Sequence, residues 1–168
     1  MFTSFPEHAQ LWIFVSNRTL TSQERDQLLQ HVRTFLSTWK THGRPVAAEA
    51  AWVEQRFLLV AGYIPDDQIS GCGIDAMTRA VEAIGHAMDI SWLPGLMIHY
   101  RDSKGDIHSV SRSTFRRLLQ EGHIQPETPV FNHALNRLKA LREGRFEEPL
   151  YRSPFARIFR VPAPPAST

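Results

Sequence analysis

At 168 residues, with 42% hydrophobic and 21% charged side chains, the chain has the size and composition of one ordinary globular domain, or one domain with a small appendage. Its longest N-terminal apolar run, Leu11–Val15, is too short for a membrane span or signal sequence, and no basic segment precedes it, so no membrane partner is expected. A single cysteine permits no internal disulfide, which fits a reducing cytoplasmic compartment. The net charge of +2 hides an asymmetry: residues 1–100 carry 7 Lys/Arg against 10 Asp/Glu, and residues 101–168 carry 12 against 7. Such a basic C-terminal third could meet an acidic partner or equally dock on the acidic N-terminal part of its own chain, but no nucleic-acid signature accompanies it, and nucleic acid is disfavoured.

Leu11–Val15 is rich in β-branched and aromatic residues and reads as a buried strand. Thr21-Ser-Gln-Glu24 matches a capping box, and Leu28, Val32, Phe35, Leu36 and Trp39 then recur at helical spacing. That pattern predicts a helix from Ser22 to Thr41 stopped by Gly43. Val46–Val53 and Phe57–Ile64 read as two strands joined by a polar turn at Glu54–Arg56, the second apolar throughout as a central strand would be. Ile74, Met77, Val81, Ile84 and Met88 mark a second helix, broken at Ser91–Gly95, and Leu96–Arg101 reads as one more strand. The order β-α-β-β-α-β predicts an α+β chain: a ferredoxin-like split βαβ body over residues 1–101. A C-terminal β-hairpin/helix unit follows over residues 102–161. It contains a turn at Asp102–Gly105, a strand Asp106–Ser111, a Ser-capped helix with Phe115, Leu118 and Leu119, and an extended Thr128–Phe131. A last helix carries Leu135, Leu138 and Leu141, and Phe146–Val161 is expected to lie over the body. Residues 162–168, rich in proline, are expected to be disordered.

The most informative segment is Ser70-Gly71-Cys72-Gly73-Ile74-Asp75, which places the only cysteine at the start of the second helix. Unsatisfied backbone N–H groups and the positive end of the helix dipole favour a thiolate there, and equally a bound anion. The stretch superficially matches a Walker A loop, but Ile74 stands where the phosphate-binding lysine belongs and Asp75 where the hydroxyl belongs, which argues against an ATPase. Asp75 caps the helix or sits in its first turn. The structural alternative is a buried small thiol in a tight turn, its glycines serving positive φ or close backbone approach. If both helices follow parallel central strands, their N-termini share one end of the sheet. Asn17 and Arg18 then neighbour Cys72, and Arg18 supplies the cation for an anion or a thiolate. On the same premise His42 lies about 25–30 Å away, at the far end of its helix.

Trp39-x-x-His42-Gly43 is explained by a core ring, a helix-end histidine and a glycine stop. His99 and His108 oppose each other across the predicted hairpin if Arg101 pairs with Asp106, and a bulged three-residue loop would separate them. Two histidines without a third ligand make a poor metal site, so neither metal nor cofactor is expected.

These residues also carry two resemblances. Trp39…His42-Gly43, the apolar Phe57–Val60, Ser70-Gly71-Cys72-Gly73-Ile74-Asp75 and Phe131-Asn132 resemble a small uncharacterised bacterial family with a Ser-Gly-Cys-Ser-Ile-Asp stretch. Some of its members bear the label ABC transporter ATPase, which the missing lysine undercuts. The resemblance implies a shared fold and a bacterial origin, and it brings no activity. Residues 97–132 are similar to a GYF-like module, with Leu-Leu-Gln-Glu-Gly-His-Ile and Thr-Pro-Val-Phe, although Ser109-Val110-Ser111 replaces its Gly-Pro-aromatic signature. That similarity implies peptide binding in an aromatic-lined groove. The functional expectation is a cytoplasmic binding or regulatory protein. Its partner would be a small anionic ligand held by Asn17, Arg18, Ser70, Gly71, Gly73 and Asp75, or else a protein. The alternatives are a thiol enzyme with Cys72 as nucleophile, and an interaction module acting through residues 102–132.

Overall fold

The computed structural model describes residues 1–166 and is α+β, with open antiparallel sheets. It divides into two units, one of residues 1–93 with 136–139, the other of residues 94–135 with those from 140 onward. The boundary therefore falls before the strand that the sequence pattern assigned to the first body. Among the described residues no helix is long and apolar enough to cross a membrane.

In the first unit β1 (Gln10–Val15), α1 (Ser22–Leu36), a two-stranded ladder of β2 (Lys40–Thr41) and β3 (Arg44–Pro45), β4 (Ala47–Val53), β5 (Phe57–Tyr63) and α2 (Gly71–Ala87) follow in order. The main sheet is ordered β1-β5-β4, with β5 antiparallel to both neighbours: Trp12 pairs with Val60, and Ala50 pairs with Val60 from the other side. Alternation then fixes the faces. Trp12, Phe14, Ala50, Trp52, Leu58 and Val60 pack with Leu28, Val32 and Leu36 of α1 and Met77 and Val81 of α2. Phe57, Leu59 and Ala61 point to the opposite face and are fully buried as well, which is why β5 is apolar throughout.

Two expectations change here. The strand Ile98–Arg101 does not join this sheet; the outer edge of β1 is met by Ser91–Leu93 near Val15–Asn17 and by residues 136–139 near Ala9–Leu11. And β1 and β5, the strands that precede the helices, are antiparallel, so α1 and α2 begin at opposite ends of the sheet. α1 itself opens on the expected capping box, with Glu24 N–H donating to Thr21 Oγ1 at 3.2 Å and Thr21 N–H donating to Glu24 Oε1 at 3.0 Å. It ends five residues early, because the Ser37 and Thr38 hydroxyls take the carbonyls of Thr34 and Phe35 that a further turn would use. His42 and Gly43, with φ of 50° and 76°, then form the tip of the β2–β3 ladder instead of a helix stop.

The second unit holds a sheet ordered β7-β6-β8-β9, antiparallel throughout, of β6 (Ile98–Arg101), β7 (Ile107–Val110), β8 (Pro129–Phe131) and β9 (Glu147–Pro149). Asp102 shapes the β6–β7 turn by accepting from the N–H groups of Lys104 and Asp106. α3 (Arg112–Gln120) is capped by Ser111, whose Oγ accepts from Thr114 N–H at 3.2 Å. α4 (Leu138–Arg142), whose first two residues belong to the first unit, is shorter than the leucine spacing implied. Residues 146–161, expected to lie over the body, supply β9, a 3-10 turn at Leu150–Arg152 and α5 (Phe155–Ile158) of the second unit. The core is Ile98, Phe115, Ile124, Val130 and Leu150, with Tyr100, Phe155 and Phe159 against it. Of the proline-rich end, residues 162–166 belong to no helix or strand, and residues 167–168 lie outside the described residues.

Candidate functional site

Ser70 is the N-cap of α2: its Oγ accepts from Gly73 N–H at 3.0 Å, so Asp75, further along and exposed, does not cap the helix. Cys72 occupies the second helical position and is exposed, against the expectation of a buried thiol. The two glycines beside it have different jobs, and neither has positive φ. A Cβ at Gly71 would meet nothing within 4 Å, whereas one at Gly73 would stand 2.9 Å from Thr41 Oγ1. Thr41 approaches this closely because its hydroxyl is hydrogen-bonded to Ser70 Oγ and accepts from Ser70 N–H, while Trp39 Nε1 donates to the Gly73 carbonyl at 2.9 Å. The Trp39–Gly43 segment thus stands against the first turn of α2. The argument that set His42 far from Cys72 rested on parallel strands and fails with them.

The same reversal removes Arg18 and Asn17 from the cysteine. Arg18 donates to the carbonyls of Met88 and Asp89 and to Glu24 Oε2 at 2.6 Å, and Asn17 Oδ1 accepts from Ser91 N–H at 3.0 Å. Both sit at the C-terminal end of α2, roughly 25 Å along its axis from Cys72 at 1.5 Å per residue. There Arg18 satisfies terminal carbonyls and complements the negative end of the helix dipole. Ser70, Gly71, Gly73 and Asp75 remain around Cys72, with no cation supplied by Arg18.

A concavity of the first unit lies just before the N-cap of α2. It encloses about 910 Å³ between residues 4–10, the end of β5, the loop 64–69 and Arg137. Its aromatic side is Tyr63, with Phe5 edge-on at 5.3 Å between centroids and His8 at 6.2 Å. Arg137 arrives on the strand-like segment that bonds the edge of β1, through Leu11 N–H to the Asn136 carbonyl and Leu138 N–H to the Ala9 carbonyl. Its guanidinium donates to the Asn136 carbonyl at 2.9 Å and pairs with no carboxylate among the described residues. Asp67 is already spent: Gln68 N–H and Arg44 hold its carboxyl below the ordinary range. Asp66, exposed on a left-handed residue with φ of 57°, engages no side chain among the described residues. Sequence reasoning missed this cleft because its wall comes from three distant stretches, none with a local motif; the one local signal was the Pro65-Asp66-Asp67 turn.

In the second unit a groove of about 780 Å³ runs between the β6–β7 hairpin, the end of α3 and the start of β8. Tyr100 and His108 stack in it at 5.1 Å and 22°, and His108 Nε2 lies 2.6 Å from Asp102 Oδ2. Burial, then Asp102, pushes the Tyr100 phenol upward. The hairpin register pairs His99 with Ser109, so the two histidines of β6 and β7 are not opposed. His99 Nδ1 instead lies 2.7 Å from Ser109 Oγ, and its ring stands edge-on to His133 at 4.8 Å. Among the described residues no three His, Cys, Asp or Glu side chains come together to hold a metal. No family model, curated protein or solved structure matches the chain.

Proposed function

We propose that the chain is a cytoplasmic binding or regulatory protein, without catalysis of its own, whose first unit takes a small ligand in the cleft before α2. The observation that carries this reading is the set of groups facing that cleft. They are a guanidinium without a carboxylate partner at Arg137, a free carboxylate at Asp66, and the rings of Tyr63, Phe5 and His8. A ligand matching them carries an anionic group for Arg137, a cationic or donor group for Asp66, and a flat or apolar body, as an aromatic amino acid does. The thiol-enzyme alternative lacks such support, since Cys72 makes no side-chain hydrogen bond among the described residues and lines none of the clefts described above. Saturation-transfer NMR with tyrosine and phenylalanine as probes tests the proposal. Arg137→Ala and Tyr63→Ala should each weaken binding about tenfold, equivalent to about 1.4 kcal/mol. Unchanged binding in both, or none in the unaltered protein, would sink it.

A second reading, an interaction module in the second unit, draws support from the Tyr100–His108 stack along a groove walled by Leu118 and Pro129. A groove with aromatic side chains along it supports the GYF-like reading. The ferredoxin-like reading of the first unit draws no support from the sheet, because β1 and β5 run antiparallel where a split βαβ unit has them parallel. The kinship with the bacterial family is supported by the meeting of its two motifs at Thr41 and Ser70.

A further inference from the structure

The positive excess of the C-terminal third is not spread evenly. Every basic residue of α3, and every one in and just after α5, is an arginine. Of these Arg117 pairs with Glu121 at 3.5 Å, while Arg112, Arg116, Arg157 and Arg160 are exposed and pair with no carboxylate among the described residues. The two elements meet through Phe159, whose ring contacts Phe115 at 4.9 Å and carries the Arg116 guanidinium 5.5 Å above it. Arg112 and Arg116 stand one turn apart on α3, and Arg157 and Arg160 flank Phe159 on either side of the α5 end. Between them Ile158 is 43% exposed, one of the few large apolar side chains left in the open.

Arg160 adds a second, independent observation. Val161 N–H closes α5 onto the Ala156 carbonyl at 2.8 Å, and Arg160 has a φ of 54°, so it fills the left-handed capping position that glycine normally takes. A side chain there is strained, and backbone strain of this kind clusters where a side chain is needed.

We infer that the α3–α5 face docks an acidic segment of a partner protein, with carboxylates forked onto Arg112, Arg116, Arg157 and Arg160 and an apolar side chain laid on Ile158. Arginine in place of lysine suits planar, bidentate carboxylates. Single-stranded nucleic acid fits less well, because the rings here are buried or covered and offer no stacking platform. One exposed isoleucine is too small an apolar face for insertion into a bilayer.

The test is fluorescence anisotropy of the full chain with a fluorescein-labelled peptide of glutamate and leucine. The expected result is saturable binding that weakens as salt rises. It should fall at least about thirtyfold when all four arginines become glutamate, and about threefold in Arg160→Gly. Arg160→Gly is the decisive variant. It relieves the cap, so its unfolding midpoint should hold or rise while binding drops, an outcome that a purely structural arginine cannot give. No binding at low salt, binding that ignores the substitutions, or tighter binding to an RNA oligomer or to phosphatidylserine vesicles than to the peptide would each overturn the inference.

Discussion

A Cβ placed on Gly85 would lie 2.4 Å from Nε1 of Trp92 and 3.0 Å from its ring, a distance that real side chains do not reach. The indole cannot retreat cheaply. Its N–H donates to the Val81 carbonyl at 3.1 Å and its ring forms an edge-type pair with Phe14, 5.8 Å between centroids. Gly85→Ala should therefore destabilise the first unit by about 2–3 kcal/mol despite the better helix propensity of alanine, read as a lower urea midpoint by tryptophan fluorescence. The glycines around Cys72 offer a matched contrast. Gly73→Ala pushes on Thr41, which two contacts to Ser70 hold in place, and should cost about 1–2 kcal/mol. Gly71→Ala meets open space and should be neutral or stabilising by up to about 1 kcal/mol. Equal costs at both positions would mean that the approach of Thr41 is not what constrains the turn. Cys72, exposed and without a side-chain partner, should alkylate in the native state, and Cys72→Ala should move stability by no more than about 0.5 kcal/mol.

At the scale of elements, the local signals held and the long-range ones did not. Thr21…Glu24 and Ser111 each open a helix as their spacing implied, because an N-cap is decided within four residues, whereas α2 is capped by Ser70 and not by Asp75, which lies beyond its first turn. Gly43 and the Trp39 spacing misplaced the end of α1, since a buried tryptophan satisfies a helical period equally well from the extended segment after the helix. The larger misplacement, Arg18 beside Cys72, came from the relative direction of two strands, which no window of sequence contains. What Arg18 does instead is to tie the first turn of α1 to the last turn of α2. Its hydrogen bond, joined by the Thr21 N–H, holds the Glu24 carboxyl down at about 2 against an ordinary 4.5. Because the folded value lies below the unfolded one, this tie contributes stability that is complete above pH 4.5 and disappears as pH falls toward 2. Glu24→Gln should flatten the acid limb of the unfolding midpoint across that window and leave the slope above it unchanged. A limb of undiminished steepness in the variant would place the acid sensitivity elsewhere.

For the molecule as a whole, the two units carry acid-sensitive groups that titrate in different windows. In the second unit burial lowers His133 below its ordinary 6.5, although the Gly95 carbonyl, at 2.9 Å from its Nε2, partly opposes the shift. The His133 ring stands edge-on to His99 at 4.8 Å, which adds to its burial. A histidine depressed in the folded state binds fewer protons than in the unfolded chain, so stability is lost as pH drops through 6.5 and below. In the first unit the Glu24 carboxyl is held down, at about 2. All four tryptophans, Trp12, Trp39, Trp52 and Trp92, lie in residues 1–93, so tryptophan fluorescence follows the first unit. Amide protection of Val130 and Phe131 in β8, corrected for intrinsic exchange, follows the second. Between about pH 7 and pH 5 the β8 amides should lose protection while the fluorescence midpoint in urea holds, and His133→Gln should reduce that loss. Below pH 4.5 the fluorescence midpoint should begin to fall as Glu24 takes up its proton. If β8 protection stayed level down to pH 5, or fell equally in His133→Gln, the buried histidine would not be the origin of the first limb.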